Sequence, residues 1–276
     1  MKIALLVITC FLISVASALP QEQSGQQSLK ILQIRRDFVR SGHEHEYETF
    51  NVQTAQAAVR NSSPVPYLTI SSVTGDAQTW FLIWYQSFEE IDTLREDYSL
   101  RTALATELSR ILRDKGDLIS GGDTLLAQYR QDLSRGPEID IAKAHYFSIV
   151  IDPVIPGHLQ EYEELQKTLR SAHKKAGDTT THTVYQVLSG TSNGTYLIFT
   201  PLHDLVNIKD AAPAQNHKYD DALGDSGLAR VRELAANSIS SSDSYLYAIR
   251  PATSYPLPEW VNADVDFWAP RPGVRH

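Results

Sequence analysis

The chain has 276 residues, 42% of them hydrophobic and 21% charged, with a formal net charge of −8. That is an ordinary composition for a soluble globular protein, long enough for one large or two small domains. The acidic balance, with no basic run, excludes non-specific nucleic-acid binding, which needs a basic face.

In chain order, the first segment is a leader. Lys2 precedes an apolar run from Ile3 to Val15, and Ala16-Ser17-Ala18 gives a small-x-small cleavage pattern. This predicts a secretory signal peptide over 1–18 and a secreted or periplasmic location. The run is too short to span a bilayer comfortably, so no membrane association is expected after cleavage. The only cysteine, Cys10, lies in the leader. A mature chain would then have no disulfide or thiol chemistry and must rely on an apolar core. Residues 19–28 read as a linker.

Lys30 to Arg40 reads as a strand rich in β-branched and aromatic residues, ended by a turn at Gly42. A helix is expected from His43 to Arg60. Its Tyr47, Phe50, Thr54, Ala57 and Ala58 recur at steps of three and four and make one buried stripe. The stretch "PYLTISSVTGDAQTWFLIWY" reads as a hairpin turning at Thr74-Gly75-Asp76. A helical region holding "TALATELSRILRDKG" and a final strand "TLLAQYR" follow.

The same succession then recurs. "SGHEHEYETF" at Ser41 is echoed by "PGHLQEYEEL" at Pro156: Gly42-His43 by Gly157-His158, Glu46-Tyr47-Glu48 by Glu161-Tyr162-Glu163, each 115 residues later. Asp37 and Val39 match Asp152 and Val154. Leu82-Ile83 aligns with Leu197-Ile198 and Trp84 with Phe199, and Tyr67 and Tyr185 take comparable places on the second strand. Asp123, Arg130 and Ser134 meet Asp243, Arg250 and Ser254 at an offset of 120. Asn193-Gly194 marks the second hairpin turn.

The order β-α-β-β-α-β is the ferredoxin-like split unit, whose sheet carries helices on one face only. Its bare face must be buried. The expected fold is therefore α+β: two tandem ferredoxin-like repeats, 29–137 and 144–258, packed sheet to sheet as a pseudo-dimeric α/β barrel. Residues 259–276, with Trp260, Phe267 and Trp268 among Asp and Pro, are expected to lie extended along the body with Trp268 docked. One chain suffices to close the barrel, and a homodimer stays open.

The strand ending in "SGH" or "PGH", the "EYE" helix start, the hairpin and the late "SSDS"-strand-"RP" segment resemble the dimeric α/β-barrel superfamily, which includes antibiotic-biosynthesis monooxygenase-like and NIPSNAP-like domains. The resemblance covers about Lys30 to Pro137 and Ala144 to Pro258. It implies a pocket between helices and sheet. The superfamily holds cofactor-free monooxygenases, haem-degrading enzymes and chlorite dismutase-like haem proteins, and no catalytic motif carries over residue by residue.

"HEHEYE" suggests a metal site, but on a helix residues two apart point about 200° apart, so His43 and His45 cannot share an ion; the spacing needed is that of H-E-x-x-H. The second copy also has Gln160 in place of His45. The stretch reads instead as a helix start whose glutamates favour the positive end of the dipole, and no metal site is expected. Aromatics on strands are usually core. If a ligand pocket exists, however, Tyr67, Trp84, Tyr185 and Phe199 would be its apolar walls. His145, His182 and His203 occur in one copy only, and single-copy polar residues are where a duplicated protein can build one site. His145 and His182 therefore join the ligand candidates. No cofactor is expected, with haem as the alternative.

The functional expectation is an exported protein that binds a small apolar or aromatic ligand between helices and sheet. The alternatives are a cofactor-free or haem-linked oxidoreductase of the monooxygenase-like type, or an interaction protein without a small ligand.

Overall fold

A computed structural model describes residues 30–113, 115–208 and 217–269. The expected signal peptide and linker, and residues 270–276 of the expected tail, lie outside the described residues. The first half runs β1 (Ile31–Val39), α1 (Glu44–Arg60), β2 (Leu68–Ser72), β3 (Gln78–Tyr85), α2 (Phe88–Leu100), α3 (Thr102–Leu112) and β4 (Ile119–Tyr129). The second runs β5 (Tyr146–Pro153), α4 (Leu159–Lys175), β6 (Thr183–Ser189), β7 (Thr195–Leu202), α5 (His217–Ser238) and β8 (Asp243–Ile249).

All strand pairs are antiparallel, and the strands close a barrel in the order β1-β3-β2-β8-β5-β7-β6-β4. Each half contributes a four-stranded sheet of ferredoxin-like order. The halves meet edge to edge, β2 on β8 and β4 on β6, so closure removes the free sheet edges that invite aggregation.

The seams are chemically alike. Arg130 N donates to Val184 O and Arg250 N to Thr69 O, both at 2.8 Å. Ser134 Oγ accepts from Val184 N and Ser254 Oγ from Thr69 N, both at 2.9 Å. Each last-strand arginine then reaches the first helix of the other half, Arg130 to Glu163 at 2.7 Å and Arg250 to Glu48.

These pairings fix which positions correspond. Leu82 faces Ile34, and Phe199 faces Ile149, so Leu82, not Trp84, holds the place of Phe199. Since Thr69 and Val184 make the same seam bonds, Tyr67 corresponds to His182, and Tyr185 to Ile70. The expected Tyr67–Tyr185 and Trp84–Phe199 matches are thus corrected. The second hairpin is longer by two residues between its paired strands.

Every second strand residue points inward and fills the barrel: Leu32 and Ile34, Leu68 and Ile70, Trp80 and Leu82, Phe147 and Ile149, Leu197 and Phe199, Tyr247 and Ile249. One end is plugged by the C-terminal segment. It is not extended as expected but forms α6 (Pro258–Ala263) and α7 (Val265–Trp268). Pro258 suits a first turn, where its missing N–H is not needed, and Asp264 caps α7 by accepting from Phe267 N at 3.2 Å. Trp260 and Trp268 pack on the core, and Trp268 Nε1 donates to Ala142 O at 2.8 Å. Among the described residues, no helix is long and apolar enough to cross a membrane.

Candidate functional site

The barrel interior is closed by its own side chains, so open space lies on the outer faces of the sheets, beneath the helices. Among the described residues, each half has a cavity of about 700 Å³ there. The first, about 690 Å³, lies under α1, α2 and α3 against β1 and β3, walled by Val65, Phe81, Ile83, Leu94 and Leu108. The second, about 730 Å³, lies under α4 and α5 against β5, β6 and β7, walled by Leu165, Leu169, Val184, Ile198 and Val231. Both are within the size range of small-molecule sites.

Their polar content differs. At the position where the first cavity has Tyr67, the second has His182. The Tyr67 hydroxyl is buried without a hydrogen-bond partner, and burial pushes its pKa up. His182 is embedded in a network instead. Its Nε2 lies 2.5 Å from Arg135 Nη2. A guanidinium can only donate, so Nε2 accepts and the ring proton sits on Nδ1, which faces Thr200 Oγ1 at 3.5 Å. Burial, reinforced by the Arg135 charge, lowers the His182 pKa to about 3; the imidazole is neutral at physiological pH. Burial also lowers Arg135 to about 10, which leaves it a cation. Alongside, His173 Nδ1 pairs with Asp178 Oδ2 at 2.6 Å and its ring packs on Tyr219 at 4.5 Å.

At the floor of each helix–sheet layer sits a buried Asp–Tyr pair. Tyr47 Oη donates to Asp37 Oδ2 at 2.6 Å, and Tyr162 Oη to Asp152 Oδ2 at 2.8 Å. Asp37 also pairs with Lys115 and with Arg35, whereas among the described residues Asp152 receives only a second neutral donor, Ser242 Oγ at 2.7 Å. Burial therefore raises the Asp152 pKa, and the two hydroxyl donors only partly offset it. A carboxyl raised in the folded state contributes stability that is fully present below its unfolded pKa of about 3.9 and is lost as pH rises through the folded value. Asp152→Asn should flatten the decline in urea stability above about pH 4; an unchanged slope in the variant would remove Asp152 as its source.

The sequence candidates divide. Tyr67 lines the first cavity and His182 the second. Trp84, Tyr185 and Phe199 line neither: they belong to the barrel core, with Trp84 Nε1 donating to Tyr185 Oη at 3.1 Å and Phe199 edge-on to Tyr185. They sit on the inward side of the pleat, and both cavities are on the outward side. His145 lies at the plugged end against Asp264. His43 and His158 stand at the starts of α1 and α4, each beside the glutamate three residues on, Glu46 at 2.8 Å and Glu161 at 3.3 Å. Sequence reasoning missed Arg135 and His173. Both were legible as single-copy residues: Arg135 follows Ser134 where Tyr255 follows Ser254, and His173 falls opposite Ala58.

No protein-family model matches the sequence, and no curated protein matches it. Among solved structures the chain is similar to an anthrone oxidase-like protein, with 14% identity and a TM-score of 0.53 over 81% of this chain and 92% of that one. It is also similar to a protein described as a monooxygenase from Fusobacterium nucleatum subsp. nucleatum, with 9% identity and a TM-score of 0.50 over 80% and 92%. A mutant chlorite dismutase from Candidatus Nitrospira defluvii aligns with 11% identity and a TM-score of 0.48 over 80% and 92%. At 14% and 9% identity the first two likenesses establish the fold alone, the dimeric α+β barrel, here built from the strands of one chain.

Proposed function

We propose that the protein binds a small, largely apolar or aromatic molecule bearing an oxygen acceptor in the second-half cavity, between α4, α5 and the sheet. The carrying observation is the half-buried Arg135–His182 pair on the wall of this cavity, beside the aliphatic side chains of Leu165, Leu169, Val184, Ile198 and Val231. A few fixed polar groups in an apolar pocket orient a ligand, and a partly desolvated guanidinium rewards a carbonyl, phenolate or carboxylate. At the matching place the first cavity presents a neutral hydroxyl, Tyr67, and its two guanidinium groups, Arg35 and Arg95, stand elsewhere on its lining.

The oxidoreductase alternative is weaker on chemistry. A general base works best with a pKa near the operating pH, and His182 at about 3 is far below it. A haem iron needs an axial nitrogen. Both nitrogens of His182 are engaged, so the residue at the centre of the polar group does not fit that role.

Anthrone serves as the probe. Calorimetry should show one molecule per chain, abolished by Leu169→Trp, which fills the second cavity. Thr54→Trp, the matching position in the first cavity, should leave it unchanged. Loss in both variants, or in neither, would defeat the assignment. Under oxygen the same sample tests the oxidase alternative. Conversion of the CH2 of anthrone and O2 to the carbonyl of anthraquinone and water, lost in His182→Ala, would replace binding by catalysis.

A further inference from the structure

We propose that His145, His203 and Asp264 bind one divalent transition-metal ion, of which Zn²⁺ is the type, and that the ion ties the C-terminal helices to the end of the barrel. The site is separate from the cavity of the proposed ligand.

Strand pairing creates the juxtaposition. Tyr146 pairs with Leu202, so the residues flanking them, His145 and His203, meet at the barrel end with ring centroids 4.3 Å apart. Asp264 arrives from the junction of α6 and α7, and its Oδ2 lies 3.0 Å from His145 Nε2. One ligating atom from each of the three residues lies within 4.8 Å of the others. Tetrahedral Zn²⁺ with bonds of about 2.0–2.1 Å holds its ligands about 3.3 Å apart. The histidine–aspartate pair already meets that spacing. The outstanding movement, about 1.5 Å at most by the same geometry, falls to the partner free to make it, since His203 is exposed.

The two other ligands are held. Phe267 stacks on the His145 ring at 3.8 Å and 14°, and Asp264 Oδ1 accepts from Phe267 N at 3.2 Å. Orienting contacts of this kind are what a metal site needs around its ligands. Two imidazoles and one carboxylate make a donor set for zinc and its neighbours, with a position left for water; magnesium and calcium favour oxygen.

A hydrogen-bonded His–Asp clip alone would explain His145 and Asp264, and leaves His203 a ring contact with His145 and a 3.7 Å approach to Asp204. The first half supports a dedicated arrangement, since Lys30 and Gln86 occupy the positions matching His145 and His203. The histidines appear only where the C-terminal segment crosses. Trp260 and Trp268 pack on the core at that same end, so an ion there would fasten the plug.

Calorimetry of the metal-stripped chain with ZnCl2 should show one ion per chain. Affinity should fall by more than about 100-fold in His203→Ala, beyond the 10–100-fold typical of outer partners. Because His203 is exposed, this variant should keep the metal-free melting temperature while losing the rise that Zn²⁺ gives the native chain. Asp264→Asn should weaken binding likewise, and the doubly substituted His43→Ala, His45→Ala chain should bind as the native one does. Visible spectra of the Co²⁺ form should report nitrogen and oxygen ligation that His203→Ala abolishes. Undiminished binding in His203→Ala, its loss in the His43/His45 variant, or no binding below about 1 mM would overturn the proposal.

Discussion

Trp80→Ala is expected to destabilise the protein by about 3–5 kcal/mol, the range for truncating a fully buried large aromatic. It would be read as a lower urea midpoint at unchanged slope. Trp80 is 0% exposed and projects into the barrel from β3. Its ring meets Tyr247 of the other half at 4.8 Å, and Nε1 donates to Gln78 Oε1 at 2.8 Å. Because the surrounding strands are hydrogen-bonded into a closed ring, the wall cannot collapse into the space, and that puts the cost near the top of the range. The register assigns Leu197 to the matching place in the second half. Trp80→Leu should therefore recover much of the loss, leaving about 1–2 kcal/mol. A cost below about 1 kcal/mol for Trp80→Ala would mean a loosely filled interior, and the barrel lumen would return as a ligand site in competition with the outer cavities.

How far the architecture was legible follows from the periodicities. The succession of elements and the Asp37–Tyr47 and Asp152–Tyr162 correspondences could be read directly, because helix and strand stripes repeat at fixed spacing. The slip in the third strand could not. Leu82-Ile83 and Leu197-Ile198 are identical pairs, and a shift of two residues leaves every side chain on the same face. Pattern alone cannot detect it; only the pairing of Leu82 with Ile34 and Phe199 with Ile149 does. The same limit hid the site. These strands are buried on both faces, by the barrel core and by the helices, so aromatic content does not say which face a residue joins. Trp84, Tyr185 and Phe199 turned inward, while Tyr67 and His182 opened to the cavities. Differences between the halves were the better guide: His182, His173 and Arg135 all break the repeat, and all line one cavity.

Asp37→Ala should cost about 3–5 kcal/mol, the range for breaking a buried pair by removing one partner, while Asp152→Ala should cost about 1–3 kcal/mol, as for neutral donors left unsatisfied. The two carboxyls hold equivalent places and differ in what they face. Asp37 is fully buried and takes a hydrogen bond from Tyr47 and ion pairs from Arg35 and Lys115. Gly122 beside it leaves the room, since a Cβ there would lie 3.1 Å from Asp37 Oδ1 and 2.7 Å from Arg36 O. Lys115 is itself mostly buried, and burial already depresses its pKa, opposed by Asp37. Truncating Asp37 leaves that ammonium in a low-dielectric layer without its counter-charge and leaves the Tyr47 hydroxyl unpaired. At the matching place, among the described residues, Asp152 receives only hydroxyls, from Tyr162 and Ser242. Its loss strands two neutral donors and relieves the burial of a carboxyl whose pKa is raised. Urea denaturation of both variants near neutral pH gives the comparison, and Lys115→Met in the Asp37→Ala background should restore part of the loss by removing the stranded charge. Equal costs for the two truncations, or no rescue by Lys115→Met, would show that the ion pair is not what distinguishes the halves, and that the asymmetry resides in packing alone.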